Sequence, residues 1–431
     1  MTQRTAEQRW LAFQSVDSGR LLLIGVTGAL VLCALARTAQ IGLPNHIRVA
    51  IAFGLFIAFG ELLRLVLPGG REAAPIAMTA AFAYAMALRI AQHGRIVSLH
   101  TPVLQVIAVA AVGMSIGALP HVAAGRSAGV TGISARLLAL ACVTLAFRLL
   151  AGIAPLASSW VTDFMVMTAM VALGWLIETV ISAIIRADDL RARYSVTLSD
   201  ELGVRWRLGL ATGVSAIITV FGAEVMGIAE LAVFAGPLLV IQFAFRKYAG
   251  IRATYLQTVR ALAQVTEVGG YVESGHSRRV TKIALAVGRE LGMQETDLID
   301  LEYAALMHDI GQLSLAEPIP GGATVLVPAA DAHRIADLGA EVIKQTGVLE
   351  RVAELVRCQW LPYRGGPRVP PLGSRIIRAA NAFDDMVVGS ADRDRASAAI
   401  GRLRGDTEVE YDPEVVDALA IVTSRLPVSR L

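Results

Sequence analysis

The chain of 431 residues is long enough for two or three soluble domains, but 55% of its residues are hydrophobic and only 17% are charged. The apolar excess lies before about residue 246, which excludes an ordinary soluble protein and indicates a membrane region. The formal net charge of +3 is no indication of nucleic-acid binding. A modest basic excess is expected of a bacterial-type membrane protein that keeps Lys and Arg on its cytoplasmic side.

Eight apolar runs in the first half each approach the roughly 20 residues that a helix needs to cross a bilayer. The runs cover residues 20–36, 47–67, 73–91, 99–119, 133–151, 159–185, 205–223 and 226–245. We therefore predict a multi-pass transmembrane domain of about eight helices over residues 1–250. Seven helices are the alternative, because the first run is short and little separates the last two.

Basic residues beside the apolar runs predict a multi-pass plasma-membrane protein with both termini in the cytoplasm. Arg186 follows the sixth run, and Arg246 and Lys247 follow the last one, in agreement with the bias of Lys and Arg towards cytoplasmic loops. The links near residues 152–160 and 223–230 contain neither Lys nor Arg. An odd number of helices would overturn this orientation.

Ionisable residues within the apolar runs need partners, because an unpaired charge in hydrocarbon costs several kcal/mol. Glu61 and Arg64 stand three residues apart, so that on one helix face they could neutralise each other. Glu178 and Arg148 are further candidates for such pairing. We favour internal pairing over a transport pathway for these residues.

Amphipathic helices replace the apolar runs after Arg252. The apolar residues of the segment from His276 recur at helical spacing, at Val280, Ile283, Ala284, Val287 and Leu291. Further helices are predicted at about 253–268, 295–310, 330–346, 348–359, 373–388 and 412–425. Residues 251–431 are therefore predicted to form a cytoplasmic all-helical domain, and the fold class of the whole chain is predicted to be all-α.

An adjacent His308-Asp309 pair closes an apolar helical run, and Gly311 follows where a helix would stop. A histidine nitrogen and a carboxylate on neighbouring residues can reach one divalent cation or two cations side by side, because carboxylate oxygens can bridge metals. A loop rich in Pro and Gly follows over residues 313–328, where it could cover a site. The alternative is a capped helix end with a surface His and Asp.

Four segments of the second half occur in a distinctive order: EVGGYVESGHSRRVTKIALAVGRELG, LEYAALMHDIGQLSL, SRIIRAANAFDDM and YDPEVVDAL. From about Thr266 to Leu419, this order and spacing resemble the HD-GYP branch of the HD metal-dependent phosphohydrolase superfamily. The resemblance implies a helical domain behind a membrane or sensor region, with two or three divalent metals, typically iron or manganese. It also implies that active members hydrolyse cyclic di-GMP or a related cyclic dinucleotide.

Four metal-ligand positions of that family are matched in this sequence. The resemblance assigns metal binding to Glu267, His276, His308 and Asp309, with Asp309 as the bridging ligand. In such a site, the metals polarise the phosphate and generate hydroxide for in-line attack. The predicted cofactor is therefore a divalent ion, with iron, manganese and zinc as the candidates.

Other positions depart from the family. Gln312 stands where the family has a lysine that contacts phosphate, and its neutral amide cannot offset phosphate charge. Asn381 stands where the family has an aspartate ligand, and its amide carbonyl oxygen binds a metal ion more weakly than a carboxylate does. Further histidine ligands of the family fall at Ile335, Gln359 and Trp360. A centre with two metals is therefore not expected, and the remaining ligands suit one ion at most.

Two functions follow from this mixed result. The departures favour a membrane-anchored signalling protein with a degenerate HD-GYP-like domain that binds or regulates rather than catalyses. The four retained positions favour the alternative, a metal-dependent phosphohydrolase or phosphodiesterase acting on a cyclic dinucleotide or another nucleotide. A transporter with a helical regulatory domain is the third and least favoured interpretation. Whether the chain is an enzyme stays open at this point.

The predicted partners are the lipid bilayer, a nucleotide or cyclic dinucleotide, and a protein partner, but no nucleic acid. The amphipathic helix over residues 253–268 leads out of the last span, and its position predicts a homodimer. Arg278, Arg279 and Lys282 form a basic face near His276. We interpret this face as solvated, with binding of phosphate or of anionic lipid head groups as the alternative.

Overall fold

The computed structural model describes the chain except for residues 1–2, 43–45, 68–70, 93, 126–128, 154–158, 191–193, 316–327, 348, 367, 388–392, 408 and 426–431. The chain divides into two compact units, Met1–Ala249 and Gly250–Leu431. The predicted all-α fold class is confirmed, because nearly all regular structure is helical. The assignment of residues 1–250 and 251–431 to separate transmembrane and HD-type domains stays a prediction.

Eight helices among the described residues overlap the eight apolar runs of the first half. They are α1 (Gln3–Ile41), α2 (Ile47–Leu62), α3 (Pro75–Met86), α4 (Val103–Ala123), α5 (Val130–Ile153), α6 (Trp160–Leu190), α7 (Tyr194–Met226) and α8 (Glu230–Val268). Large apolar side chains such as Leu22, Met165 and Leu210 are exposed on α1, α6 and α7. Exposed apolar side chains in such number are expected of helices that face lipid.

Five stretches of the described chain are long and apolar enough to cross a membrane. They are Gly19–Ile41, Val103–Ala123, Val130–Ala151, Trp160–Asp189 and Tyr194–Val233. These stretches indicate a protein embedded in a membrane. Helices α2 and α3 have only 16 and 12 residues, fewer than the roughly 20 that a span needs. The number of crossings and the orientation of the termini stay predictions.

Two antiparallel β-hairpins, which the sequence analysis did not predict, occupy the ends of the runs at 47–67 and 73–91. Strand β1 (Leu65–Leu67) pairs with β2 (Arg71–Ala73), and β3 (Arg89–Gln92) pairs with β4 (Arg95–Ser98). Gly94 has a φ of +75°, which suits the tight link between β3 and β4. Because β1 and β3 carry apolar residues, hydropathy alone does not separate them from membrane helices.

Helix α3 lies at the centre of the first unit, and every one of its residues is buried. It packs against α2, α4, α5 and α7. Gly60 of α2 permits this close approach, because a Cβ there would lie 2.3 Å from the backbone nitrogen of Ala77. A Cβ at Gly117 of α4 would lie 2.2 Å from the carbonyl oxygen of Ala58. Small residues therefore set the spacing between these helices.

A buried ion pair links α2 to α5 and corrects the suggested pairing of Glu61 with Arg64. Glu61 Oε1 lies 2.7 Å from Nη2 of Arg136, and both side chains are buried. Arg64 instead pairs with Glu72 of β2, with Nη1 and Oε2 3.5 Å apart. The reason is that α2 ends at residue 62, so Glu61 and Arg64 do not share a helix face.

A second group of buried charges links β2 to α6 and α7. Arg71 Nε lies 2.5 Å from Glu201 Oε1. Arg205 donates to Glu201 Oε2 at 2.6 Å and to Glu178 Oε1 at 3.0 Å. Glu178 is therefore neutralised within the protein, as internal pairing predicts. For Arg148, Nε and Nη2 are buried without a hydrogen-bond partner among the described residues, so its predicted pairing is not observed there.

The second unit contains the end of α8 and seven further helices among its described residues. These are α9 (His276–Glu290), α10 (Glu295–Met307), α11 (Ala329–Lys344), α12 (Glu350–Arg357), α13 (Leu372–Val387), α14 (Arg393–Gly405) and α15 (Pro413–Arg425). The predicted apolar face of α9 is confirmed, since Val280, Ile283, Ala284 and Val287 lie in the core of this unit. Most of the predicted loop at 313–328, from residue 316 to 327, lies outside the described residues.

Helix α14 was missed by the sequence analysis. Its segment RDRASAAIGRLRG is rich in Arg, and its apolar residues are mostly small. Ala396, Ala399, Ile400 and Leu403 nevertheless recur at helical spacing and are buried in the core. The remaining predicted helices of this unit agree with the structure to within a few residues at each end, which is the usual uncertainty of helix boundaries.

Candidate metal centre

Three buried residues with metal-ligating side chains meet where α9 begins and α10 ends. His276 is the first residue of α9 and follows Gly275, whose φ of +79° turns the chain into the helix. His308 and Asp309 directly follow α10 and precede a 3-10 turn over Ile310–Ser314. One potential ligand atom from each of the three residues lies within 4.8 Å of the other two. The fold thus brings together three of the four predicted ligands.

A carboxylate on α13 fixes the ring of His276. Nδ1 of His276 donates a hydrogen bond to Asp384 Oδ2 at 2.8 Å, and Arg279 Nε donates to Asp384 Oδ1 at 2.9 Å. Arg279 is therefore held in an ion pair and does not belong to the solvated basic face that we predicted. With its proton on Nδ1, a neutral His276 directs the lone pair of Nε2 towards Asp309 Oδ2, 3.4 Å away. Metal-binding histidines are commonly oriented by a carboxylate in this way.

A backbone carbonyl fixes the ring of His308. Nδ1 of His308 lies 2.9 Å from the carbonyl oxygen of Ala305, and this nitrogen is the donor because a carbonyl oxygen only accepts. Nε2 of His308 lies 3.0 Å from Asp309 Oδ2 and 3.3 Å from Asn381 Oδ1. Both imidazoles therefore direct Nε2 at the same oxygen of Asp309.

The donor set fits one divalent metal ion. Two neutral imidazole nitrogens that face one carboxylate oxygen would bring three lone pairs together, unless a proton or a cation lies between them. His276 Nε2 and Asp309 Oδ2 are buried and form no hydrogen bond with any described residue. Imidazole nitrogen and carboxylate oxygen are common ligands of zinc, iron and manganese. Asn381 adds a neutral oxygen, Oδ1, beside Nε2 of His308.

In the metal-free protein, the same proximity shifts two pKa values. Burial disfavours the charged form of His276, but Asp309 and Asp384 beside it outweigh this effect and raise its pKa to about 10. Burial also disfavours the carboxylate of Asp309, but the imidazoles of His308 and His276 hold its pKa well below the ordinary value. A metal ion must replace the proton on the imidazole, so binding depends on pH.

Two acidic residues of α13 were missed as members of the site. Burial raises the pKa of Asp384, but hydrogen bonds from His276 and Arg279 outweigh it, and the net shift of the pKa is downward. Asp385 Oδ1 lies 3.9 Å from His276 Nδ1, and burial raises the pKa of Asp385 to about 6. Their spacing of three and four residues from Asn381 could have indicated that all three share one side of a helix.

Glu267 is the fourth predicted ligand, and the cluster of three does not include it. It is the penultimate residue of α8 and is half-buried. No described contact links its carboxylate to the ligand atoms of His276, His308 or Asp309. Metal binding by Glu267 therefore stays a prediction.

Positions that depart from the HD-GYP resemblance serve in packing. Gln312 is fully buried, and neither atom of its amide has a hydrogen-bond partner among the described residues. Gln359 donates from Nε2 to the carbonyl oxygen of His308 at 2.8 Å and so braces the backbone of the centre. A Cβ at Gly311 would lie 1.9 Å from the carbonyl oxygen of Ile335. Helix α11 therefore packs tightly against the turn that follows Asp309.

Comparisons with known proteins match the part of the chain that carries this centre. The HD domain family matches residues 274–386. Over 185 residues, the chain is 28% identical to the 3'3'-cGAMP-specific phosphodiesterase 3 of Vibrio cholerae serotype O1. The aligned region covers 39% of this chain and 39% of that relative, so the chain spans well under half of the relative's length. No solved structure matches the chain.

Proposed function

Because residues 274–386 form an HD domain, we propose that the chain is a membrane-anchored, metal-dependent phosphohydrolase that cleaves a phosphodiester bond of a cyclic dinucleotide. The observation that carries this proposal is the pair of buried atoms His276 Nε2 and Asp309 Oδ2. They lie 3.4 Å apart and have no hydrogen-bond partner among the described residues. Leaving such groups unsatisfied costs about 1–3 kcal/mol each, and one divalent ion would satisfy both.

Each residue of the centre has a separate role in this proposal. His276, His308 and Asp309 would hold the ion, and Asn381 would add a neutral oxygen. When bound, the ion polarises the phosphate and lowers the pKa of a water molecule for in-line attack. Asp384 keeps the proton of His276 on Nδ1, so that Nε2 stays available as a ligand. The site is buried, which strengthens each of these electrostatic interactions.

The substrate class is inferred from the resemblance and from the relative. The relative from Vibrio cholerae is named as a phosphodiesterase specific for 3'3'-cGAMP, a cyclic dinucleotide. Such a substrate carries two phosphodiester groups, each with a negative charge. Gln312 cannot offset that charge as a lysine would, so we expect turnover to be slower than in family members that retain the lysine.

A regulatory protein that binds the dinucleotide without cleaving it is the second candidate. Gln359 and Ile335 stand where the resemblance places histidine ligands. Gln359 donates a hydrogen bond to a backbone carbonyl, and the buried side chain of Ile335 has no atom that can bind a metal. The site can therefore hold fewer metal ions than an active HD-GYP domain. Dinucleotide binding by a wild-type protein that shows no turnover in the presence of metal would favour this candidate.

The proposal also includes signalling at the plasma membrane, both termini in the cytoplasm, and a homodimer. The five apolar stretches support the membrane location. Helix α8 exposes apolar side chains beyond residue 250, at Tyr255, Leu262, Val265 and Val268. Their spacing places them along one side of the helix, where they suit the same stripe of a second copy. A monomeric full-length protein in detergent would contradict the homodimer.

The test uses the full-length protein in detergent, stripped of metal under anaerobic conditions and then supplied with Fe²⁺, Mn²⁺ or Zn²⁺. We expect about one ion per chain and hydrolysis of 3'3'-cGAMP or cyclic di-GMP. Asp309→Ala should lose the ion and reduce hydrolysis by at least about 100-fold, because it removes the anionic ligand. Asp337→Ala is the matched control, since Asp337 is exposed and pairs with Arg357. Wild-type protein that retains none of the three ions would contradict the proposal.

A further inference from the structure

Asn381 contributes an oxygen atom to the centre but no charge. Its Oδ1 lies 3.3 Å from Nε2 of His308, so it faces the space between the ligands. A neutral amide oxygen binds a divalent cation more weakly than a carboxylate does. The centre therefore lacks a negative charge at the position where the resemblance places an aspartate.

Asp385 stands four residues after Asn381 and so lies on the same side of α13, one turn further along. Its side chain is only 12% exposed, and Oδ1 lies 3.9 Å from Nδ1 of His276. Its other oxygen, Oδ2, is buried and forms no hydrogen bond with any residue that the structure describes. A buried carboxylate oxygen without a partner is uncommon and calls for a ligand or a neighbouring cation.

The charges around these residues do not balance within the described part of the chain. Asp384 is neutralised by Arg279, whose Nε lies 2.9 Å from Oδ1. Among the described residues, no Lys or Arg lies within 4.0 Å of the carboxylate of Asp309 or Asp385, and both face imidazoles instead. When the imidazoles are neutral, as metal binding requires, these two carboxylates carry two negative charges. One divalent cation offsets both.

We infer that Asp385 is the second anionic group of the metal centre and supplies the charge that Asn381 lacks. The inference rests on the proposed metal-dependent function and adds a residue to it. Asp385 acts as an outer partner of the ion rather than as a direct ligand, because the ligand atoms within 4.8 Å of one another do not include its oxygens. Its charge is still felt by the ion, because buried surroundings screen charge weakly.

Four full-length proteins test this inference: the wild type, Asp385→Asn, the exchange variant Asn381→Asp/Asp385→Asn, and Asp337→Asn as a surface control. Each protein is stripped of metal in detergent and titrated separately with Fe²⁺, Mn²⁺ and Zn²⁺ under anaerobic conditions. Bound metal is counted by elemental analysis at each free-metal concentration. We expect Asp385→Asn to bind metal about 10- to 100-fold more weakly, the size of effect that outer partners usually have. The exchange variant should recover most of this loss, and the control should match the wild type.

Wild-type affinity in Asp385→Asn would overturn the inference and leave the metal centre itself intact. An exchange variant as weak as Asp385→Asn would also overturn it, because a charge at position 381 would then not replace one at position 385. The exchange variant keeps the number of carboxylates unchanged, so it carries the test even if Asp385→Asn does not fold. A wild type that binds none of the three ions would instead remove the proposed function, which distinguishes the two failures.

Discussion

Arg136 and Glu61 in the first unit are as deeply buried as His276 and Asp309 in the second, but the two pairs differ in how their charges are matched. Nη2 of Arg136 lies 2.7 Å from Glu61 Oε1, so each charge has its partner. His276 Nε2 and Asp309 Oδ2 lie 3.4 Å apart without a hydrogen bond. A matched pair is explained by the fold alone, whereas the second pair needs either a proton on His276, as in the metal-free protein, or a bound cation between its atoms. The burial of a charged side chain therefore indicates a binding site only when its hydrogen-bond and ion-pair partners are also considered.

The largest effect is expected when the matched pair is broken. Arg136→Met should lower the free energy of unfolding by about 3–5 kcal/mol, because the carboxylate of Glu61 stays buried without its partner. Unfolding of the full-length protein in mixed micelles measures this change. The double variant Glu61→Gln/Arg136→Met should recover part of the loss, because it removes both charges. A loss below 1 kcal/mol in the single variant, on the order of an exposed pair, would show that the ion pair does not stabilise the unit.

In the unmatched site, Asp384→Asn should affect metal binding more than folding. The variant removes the charge that holds the Nδ1 proton of His276, so metal affinity should fall by about 10- to 100-fold. Metal titration of the full-length protein measures the affinity, and thermal unfolding of the metal-free protein serves as the check on folding. Asp297→Asn, at an exposed ion pair with Arg351, is the matched control. Unchanged affinity would mean that another group orients His276.

The pH dependence of the metal-free protein offers a third comparison. His276 has its pKa raised from 6.5 to about 10 in the folded state. Its contribution to stability is therefore fully present below pH 6.5 and is lost as the pH rises through 10. The melting temperature of the chelator-treated protein should fall by several degrees between these values, and His276→Gln should flatten the curve. Parallel curves for the two proteins would contradict this assignment.

The smallest effect is expected at an ion pair on the surface of the second unit. The side chain of Arg351 is 71% exposed and contacts Asp297 and Asp300. Arg351→Ala should lower the free energy of unfolding by less than about 1 kcal/mol, because solvent already screens these charges. Thermal unfolding at low and high salt measures the change, which should become smaller at high salt. If Arg351→Ala lowered the free energy of unfolding as much as Arg136→Met, the burial of an ion pair would not decide how much it stabilises the protein.

Much of the helical architecture could be predicted from the sequence, because apolar residues recur with the period of the helix. The face of α9 formed by Val280, Ile283 and Val287 is an example. The hairpins beside α3 could not be predicted in this way. Apolar residues buried against protein and apolar residues facing lipid have the same hydropathy. The helices predicted at 47–67 and 73–91 therefore include residues that form strands in the structure.

The candidate site was only partly predictable, for a different physical reason. His276, His308 and Asp309 could be found because their residue types and spacing match a family motif. The bond between His276 and Asp384 joins residues 108 positions apart, and it depends on how α13 packs against α9. The same limit explains Glu61, whose partner Arg136 lies 75 positions away. Sequence spacing suggests the nearby Arg64 as the partner of Glu61, whereas helix packing brings the distant Arg136 to it.

The complete burial of α3 also has a consequence for the biosynthesis of this protein. Its neighbours include α2, which ends at residue 62, and α7, which begins at residue 194. With 12 residues, α3 is too short to insert into a bilayer as an independent span. While the ribosome is still translating residues before α7, this apolar segment therefore lacks part of its native surroundings. Chains truncated before α7 should leave α3 incompletely covered and be degraded faster than chains that include it.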